Sequence, residues 1–281
     1  MSSPVDSGSN TRGIVDPGTG FTRFQLTRHE PRLAPGWAVD RYWVVRWNLP
    51  PGAWHDQRIV PHPAVHLVFD DAGEAMVQAI TADEFVRRLE GRGHVVGVKF
   101  RPAGFRPFLG AAVSSIAGQR RPGAGILGQD VVDVARRLRD VDDPDHLDDA
   151  VPVIDRYIAS LGADPLPMTE PVNRLVEHLA GDPTVTRVDQ LARRLGTSAR
   201  RLQRLFAQHV GLGPKWVINR LRVHEVAERA ERAPRIDWAR LAADLGYSDQ
   251  SHLVREFRSA VGEPPDRYAR RLARSSPASG R

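Results

Sequence analysis

The fold is decided by a pattern that occurs twice: VDQLARRLGTSARRLQRLFAQHVGLGP at residues 188–214, and WARLAADLGYSDQSHLVREFRSAVGEPP at residues 238–265. Leu191 and Gly196 recur 50 positions later as Leu241 and Gly246, and after one added residue the offset becomes 51. A repeated unit defines the architecture around it, so the rest of the chain is interpreted from this repeat.

Each copy is predicted to be a short helix, a tight turn and a second helix. Leu191 and Leu195 are four residues apart and therefore share one face of the first helix. Gly196 stands where that helix should end, because glycine enters the left-handed conformation without strain. Ser198 is placed to cap the next helix. The pattern indicates a helix-turn-helix, whose second helix enters the major groove of DNA.

The second helix of the first copy has a buried stripe and a basic face. Its predicted stripe consists of Leu202, Leu205, Phe206 and His209, and its polar face of Arg200, Arg201, Gln203, Arg204 and Gln208. A single copy would be explained equally well by a helical hairpin with a solvated basic face. Two copies, each with the glycine turn and an arginine at the matching position, favour DNA binding.

At residues 171–272 the chain resembles the AraC/XylS family of transcription regulators. The motifs are LARRLGTSARRLQRLF, GLGPKWVINRLRVHEVAERA and LAADLGYSDQSHLVREFRSAVGEPPDRY. The resemblance implies two helix-turn-helix units that read successive major grooves. A helix at about residues 214–230 would join them, and at about 1.5 Å per residue it would span roughly 25 Å.

The resemblance also implies which residues meet DNA. The matching positions are Arg200, Gln203 and Arg204 in the first unit, and Gln250, Ser251, His252 and Arg255 in the second. The chemistry agrees, because arginine can bridge guanine O6 and N7 and glutamine can pair with adenine.

Other polar residues of the two units are assigned weaker roles. Asp249 and Glu256 are expected to weaken the electrostatic attraction of the second unit for DNA. Thr186 and Ser248 could cap helices whose N-termini face phosphates. For Arg201 and Gln208 we favour backbone contact or solvation.

Charge is divided unevenly along the chain of 281 residues. Residues 169–281 contain 21 Arg and Lys against 13 Asp and Glu, a net charge of +8, whereas residues 1–168 contain 19 against 21, a net charge of −2. A nucleic acid or another anionic partner is therefore expected to bind one half only. Cysteine is absent, which excludes disulfides and thiolate metal sites. Without a secretory signal or a long apolar run, the expected location is the cytoplasm.

The N-terminal half is predicted to be rich in short strands. Candidates lie at residues 37–49, 65–69, 76–80 and 95–100, with helices at 130–139 and 146–161 and short helical insertions at 81–89 and 105–109. The segments VPHPAVHLVFD and VVGVKFRPAGFRPFLGAAVSSI resemble the N-terminal domain of one subgroup of such regulators. That resemblance implies a cupin-like barrel with flanking helices that senses a ligand, dimerises, or both.

Four tryptophans cluster in this half: Trp37, Trp43, Trp47 and Trp54. They could line a pocket for an apolar or cationic ligand, or they could simply fill the core of a small barrel. A metal site at His55, His62 and His66 is not predicted. Prolines exclude a helix there, and four residues of extended chain span about 13 Å, too far for two ligands of one metal.

The sequence therefore predicts an α+β protein of two domains. Its predicted segments are, in order, a flexible tail (1–20), a sensing or dimerisation domain (21–163), a linker (164–168), the double helix-turn-helix domain (169–274) and a second tail (275–281). The expected function is a sequence-specific regulator that binds double-stranded DNA, with no cofactor, no metal and no catalytic residues. A small effector, a second copy of the chain and, for an activator, RNA polymerase are the expected partners.

Two rival functions stay open at this point. The barrel could be a small-molecule enzyme that its helical domain recruits to DNA, or the chain could be a nucleoid-type structural protein without sequence preference.

Overall fold

The computed structural model describes residues 13–15, 17–83, 85–139, 144–232 and 236–275. Its strands are β1 (Phe24–His29), β2 (Val39–Asn48), β3 (Trp54–Ile59), β4 (His66–Asp70), β5 (Ala75–Gln78), β6 (Phe85–Glu90), β7 (Arg92–Phe100) and β8 (Arg120–Pro122). Six of them form an antiparallel sheet in the order β1-β2-β7-β4-β5-β8, and β3 pairs with β6 in a second sheet. Among the described residues the strands pair as two separate sheets, so the barrel of the prediction is not shown as closed.

Alternation along β2 gives the six-stranded sheet two different faces. Tyr42 and Val44 are fully buried on one face, where they join the main N-terminal core. Trp43, Val45 and Trp47 point to the other face, where they pack in a second apolar cluster that includes Leu89 of β6. The two sets lie on opposite faces because successive side chains on a strand alternate between faces.

Helices cover the first face of the sheet. They are α2 (Arg106–Leu109), α3 (Ala124–Leu127), α4 (Asp130–Arg139) and α5 (Val151–Ser160), with 3-10 turns at Val113–Ser115 and Pro144–Ala150. The short α1 (Pro17–Gly20) lies instead beside Phe24, which packs on the other face. The apolar stripes of α4 and α5 are buried, as Val131, Leu138 and Ile154 show. Hydrophobic burial of these stripes fixes the helices on the sheet.

The described residues of the C-terminal part form seven helices: α6 (Thr169–Gly181), α7 (Val188–Arg194), α8 (Ala199–His209), α9 (Pro214–Arg232), α10 (Trp238–Asp244), α11 (Gln250–Val261) and α12 (Pro265–Ser275). The two repeats become α7–α8 and α10–α11, and α9 is the joining helix, with Pro214 in its first turn as expected. The β-rich N-terminal part and the helical C-terminal part confirm the predicted fold class. None of the helices in the described ranges is long and apolar enough to cross a membrane.

Three local predictions were wrong. Residues 85–90 form strand β6 and not a helix, because they pair antiparallel with β3 in the register Ile59↔Phe85. Leu195 is 48% exposed, whereas its counterpart Leu245 is fully buried. Residues 13–15 and 17–20 do not form a tail, since Ile14 and Val15 are buried and Ile14 bridges to Ile59. Residues 1–12 and 276–281 lie outside the described residues.

The N-terminal part packs directly against the helices of the C-terminal part. Ile80 and Ala103 share one apolar cluster with Val172 of α6 and Phe206 of α8. Polar contacts add to this interface, because Asn173 accepts a hydrogen bond from the Ala103 N–H and donates one to the Trp37 carbonyl, both at 2.9 Å. The domain interface is therefore apolar at its centre and held by specific hydrogen bonds.

Candidate nucleic-acid interface and ligand cavity

The first helix-turn-helix unit has the predicted turn and cap. Gly196 has φ of 59°, the left-handed conformation that ends α7. The Ser198 hydroxyl accepts a hydrogen bond from the Arg201 N–H at 3.2 Å and caps α8. Leu202 and Phe206 are buried beneath the helix. As a consequence, its outer face presents three predicted contact residues to solvent, Arg200, Gln203 and Arg204.

The second unit repeats the turn but uses a different cap. Gly246 has φ of 65°, yet the cap of α11 is Asp249, whose carboxylate accepts a hydrogen bond from the His252 N–H at 2.7 Å. This corrects the assignment of Ser248 as the cap. The hydrogen bond from the His252 N–H, assisted by Ser248 and Arg255, lowers the pKa of Asp249 despite some desolvation. The Asp249 carboxylate thus serves as the N-terminal cap of α11.

Of the predicted contact residues in the second unit, Gln250, Ser251 and Arg255 are exposed. His252 is different, because its ring is held on both sides. Its Nδ1 lies 3.1 Å from the Ser248 hydroxyl and its Nε2 lies 3.3 Å from Glu256. In this arrangement His252 braces the turn.

Glu256 connects α11 to the joining helix. Its carboxylate accepts a hydrogen bond from the Asn219 side chain of α9 at 2.8 Å. The sequence predicted only that Glu256 would weaken the electrostatic attraction of the second unit for DNA, and it did not predict this hydrogen bond between helices. The sequence offered no signal for it, because the two residues are 37 positions apart.

The two units also touch each other at the turn of the second. A Cβ placed on Gly246 would lie 2.2 Å from Cγ2 of Thr186, which precedes α7. Thr186 does not cap α7; its N–H donates to the Gln190 side chain at 3.1 Å, and residue Arg187 occupies the cap position. The relative position of the two units is therefore fixed by contact as well as by α9.

A cavity of about 710 Å³ lies on the second face of the six-stranded sheet. Its floor is the sheet, β6 and the end of β3 contribute one wall, and Val176 and Ala180 of α6 and Leu221 of α9 contribute another. This volume lies within the usual range for small-molecule sites. The cavity is thus bounded by both parts of the chain.

Two of the four clustered tryptophans line the cavity. Trp43 lies against Gly97 and Trp47 against Gly93, and a Cβ on either glycine would approach the facing indole to 2.1 or 2.4 Å. Each tryptophan is the cross-strand partner of its glycine, so the strand pairing itself creates the space for the rings. The matched spacing of tryptophan and glycine was a signal in the sequence.

The other two tryptophans lie elsewhere, which corrects the prediction of one aromatic pocket. Trp37 stacks on Phe108 at 5.9 Å, because it precedes β2 and packs toward α2. Trp54 is 59% exposed on the two-stranded β3–β6 sheet, where the Arg88 guanidinium lies 4.5 Å from the ring centre.

The three histidines considered for a metal site are separated. His55 lies 3.1 Å from Gln57, His62 stacks on His224 of α9 at 4.3 Å, and His66 accepts a hydrogen bond from the Trp43 indole at 3.3 Å. Within the described ranges, no group of three His, Cys, Asp or Glu residues is placed to hold a metal ion.

The two exposed recognition faces, joined by one helix, define a DNA-binding transcription regulator. Residues 191–271 match the family model described as a helix-turn-helix domain, so the predicted AraC-type DNA-binding domain is confirmed. Residues 27–122 match a domain of unknown function (DUF6597). A search of curated proteins gives no match.

Similar solved structures include ToxT of Vibrio cholerae. The apo form of a ToxT variant from strain SCE256 is 12% identical, with a TM-score of 0.37 over 89% of this chain and 98% of that chain. ToxT from strain O395 is 14% identical, with a TM-score of 0.36 over 89% of this chain and 98% of that chain.

Proposed function

We propose that the chain is a sequence-specific transcription regulator whose DNA binding responds to a small molecule in the cavity. Sequence preference would come from the exposed Arg and Gln side chains of α8 and α11, which can read base edges in two major grooves. The α9 helix has 19 residues and at about 1.5 Å per residue spans roughly 28 Å. That length suits two grooves about one DNA turn apart.

The observation that carries the ligand response is the shared wall of the cavity. Leu221 belongs to the joining helix, and Val176 and Ala180 belong to the first helix of the C-terminal part. A ligand that touches these residues would contact the N-terminal sheet and the DNA-binding helices together. Such a ligand can shift the position of the two units if it binds one arrangement more tightly than another.

The loops that border the cavity also hold the joining helix. Pro61 and His62 line the cavity, and His62 stacks on His224 of α9. The Arg220 guanidinium of α9 donates a hydrogen bond to the Ala82 carbonyl at 3.0 Å, next to the cavity residue Thr81. A ligand in the cavity would therefore lie close to residues that contact α9 directly.

The test is a binding selection from random duplex DNA with the purified chain, with and without a small-molecule extract of cells. The proposal expects an enriched motif of two parts about one helical turn apart, and a change in DNA affinity with extract. Binding without any enriched motif would contradict sequence specificity. Three expectations stay predictions: that the protein acts in the cytoplasm, that it contacts RNA polymerase, and that it forms a homodimer.

A further inference from the structure

A row of polar side chains crosses the floor of the cavity. Strand register places Arg41 of β2 opposite Lys99 of β7, Lys99 opposite His66 of β4, His66 opposite Gln78 of β5, and Gln78 opposite Arg120 of β8. All five residues line the cavity. Because partners in register face the same side of a sheet, the row forms one continuous polar strip.

The charge of the cavity lining is mainly positive. Its described lining contains six Arg and Lys residues but only two carboxylates, Asp40 and Glu177. Asp40 is shared between Arg41 at 2.9 Å and Lys99 at 3.1 Å. One carboxylate thus faces two cations at this end of the cavity.

Arg28 adds a third cation to the same end. It is the cross-strand partner of Trp43, and no side chain in the described part of the chain forms an ion pair with it. Burial, followed by repulsion from Arg41, lowers the pKa of Arg28 to about 10, so the side chain stays charged at neutral pH. A half-buried cation without a counter-charge favours an anion beside it.

His66 contributes a neutral donor. Burial and the nearby Lys99 lower the pKa of His66 to about 3, so its ring is uncharged at neutral pH. Since its Nδ1 accepts the hydrogen bond from Trp43, the proton lies on Nε2.

The other end of the cavity is apolar. Phe24, Leu26, Trp47, Leu89 and Val95 line it and belong to one hydrophobic cluster. Burial of apolar ligand surface against these side chains is favourable at about 25 cal/mol per Å². A sugar or other polyol would offer no apolar surface to bury against these side chains.

We propose that the cavity binds an organic anion with an apolar body, whose acid group lies among Arg28, Arg41 and Lys99 and whose body lies against Trp43 and Trp47. This inference rests on the proposed function in that the same cavity receives the effector. It adds the chemical class of that effector. A cationic ligand is disfavoured, because it would meet three like charges and a single carboxylate.

The experiment compares ligands that share one body and differ in the head group. The probes are 6-phenylhexanoate, 6-phenylhexyl phosphate, 6-phenylhexan-1-ol and 6-phenylhexylamine, measured on the full chain by calorimetry and by quenching of tryptophan fluorescence. At least one anion should bind about tenfold or more tightly than the alcohol, as one charge-assisted hydrogen bond would give, and the amine should bind most weakly. The two anions distinguish a carboxylate site from a phosphate site.

Variants then locate the acid group. Arg28→Met should reduce the affinity for the preferred anion to near that of the alcohol and leave the alcohol unchanged. Asp40→Asn should tighten the anion, because it removes the competing carboxylate. Arg23→Met is the control, because Arg23 is an exposed arginine just before β1 and its replacement removes the same charge. It should change neither the affinity for the anion nor the affinity for the alcohol.

The proposal is overturned if the alcohol or the amine binds as tightly as both anions to the unmodified chain, an outcome that needs no variant to fold. It is also overturned if folded Arg28→Met retains the full preference. Ligand binding is measured without DNA, so it is separate from the proposed function. Anion binding that leaves DNA affinity unchanged would refute the ligand response and not the ligand class.

Discussion

Asp155 of α5 organises the segment that leads into β2. It is buried, and its carboxylate accepts hydrogen bonds from the N–H groups of Arg32, Leu33 and Ala34 and from the Tyr42 hydroxyl, at 2.7–3.1 Å. Burial alone would raise the pKa of Asp155, but these hydrogen bonds outweigh it and hold the pKa below its usual value. A single side chain thus fixes a turn, a strand and a helix.

We predict that Asp155→Asn lowers the free energy of unfolding by about 2–3 kcal/mol, because an amide cannot accept from all four donors. The pKa of Asp155 is lower in the folded than in the unfolded chain. Its stabilisation is therefore complete above about pH 4 and is lost as the pH falls through the folded value. Urea unfolding at several pH values measures this, and the difference from the parent should shrink in acid.

Asp133→Asn is the matched control, since Asp133 is exposed on α4 and its partner Arg136 is exposed as well. It should change stability little. If Asp155→Asn were as stable as this control at neutral pH, the carboxylate would have no organising role.

Single residues also show where sequence reasoning stopped. The turn at Gly196 and the cap at Ser198 were placed correctly, because both depend on residues within one turn of chain. Arg204 is exposed, as its place on the polar face of the helix predicted. The cap of α11 was not, since Ser248 and Asp249 are both good caps and only the geometry of the turn selects Asp249. Asn219 and Glu256 were missed because their contact is long-range.

The turns of the two helix-turn-helix units are alike in backbone and different in surroundings. Gly196 and Gly246 have φ of 59° and 65°. A Cβ on Gly196 would meet no atom within 4 Å, whereas one on Gly246 would lie 2.2 Å from the Thr186 methyl. The same substitution at both sites therefore separates backbone strain from the contact between the units.

Gly196→Ala should cost about 1–2 kcal/mol, the penalty of a left-handed conformation with a side chain. Gly246→Ala should cost more, because overpacking adds about 1–3 kcal/mol to the same strain. Thermal and urea unfolding of both variants measure the difference. Adding Thr186→Ser, which removes the methyl, should recover part of the loss in Gly246→Ala and none in Gly196→Ala. Equal costs at the two glycines would show that the contact between the units is absent.

Strand β6 shows why one element was assigned wrongly. Phe85 and Leu89 are four apart and fit a helical stripe, and they are also an even number apart and fit one face of a strand. Pairing with β3 decides between the two, because the paired strand buries Leu89 and leaves Val86 and Arg88 exposed. The partner strand is some thirty positions away, so periodicity within the segment could not show it.

At the scale of the whole molecule, charge and domain packing act together. Arg101, which lines the cavity, pairs with Glu170 at 3.1 Å and Glu177 at 2.6 Å, both on the first helix of the C-terminal part. The sequence indicated a basic C-terminal part beside a near-neutral N-terminal part. It did not indicate this interface, because its contacts join residues about seventy positions apart.

The uneven charge predicts steep salt dependence of DNA binding. Residues 169–281 carry a net charge of +8, so non-specific binding should depend on phosphate contacts. Affinity for a random duplex should fall by about 10³ or more between about 50 and 200 mM salt if six or more phosphates are contacted. Fluorescence anisotropy titrations at several salt concentrations give the slope. An affinity that does not change with salt would show that non-specific DNA binding does not depend on phosphate contacts.

In the proposed function, α8 and α11 each read bases in one half of a two-part site. Arg204 and Arg255 occupy equivalent exposed positions two residues before the buried Phe206 and Phe257. The most direct test is a DNA selection with purified Arg204→Ala and Arg255→Ala. The control is Arg174→Ala, an exposed arginine of α6 with the same loss of charge, and melting curves check folding.

Each recognition variant should lose about 1–3 kcal/mol on the best site and relax preference in one half of it. The two affected halves should lie about one helical turn apart, and the smaller effect is expected for Arg255. The control should keep the parent's preference in both halves. If both variants melt normally and still select the parent's complete motif, these arginines do not read bases and the assignment of the recognition helices is wrong.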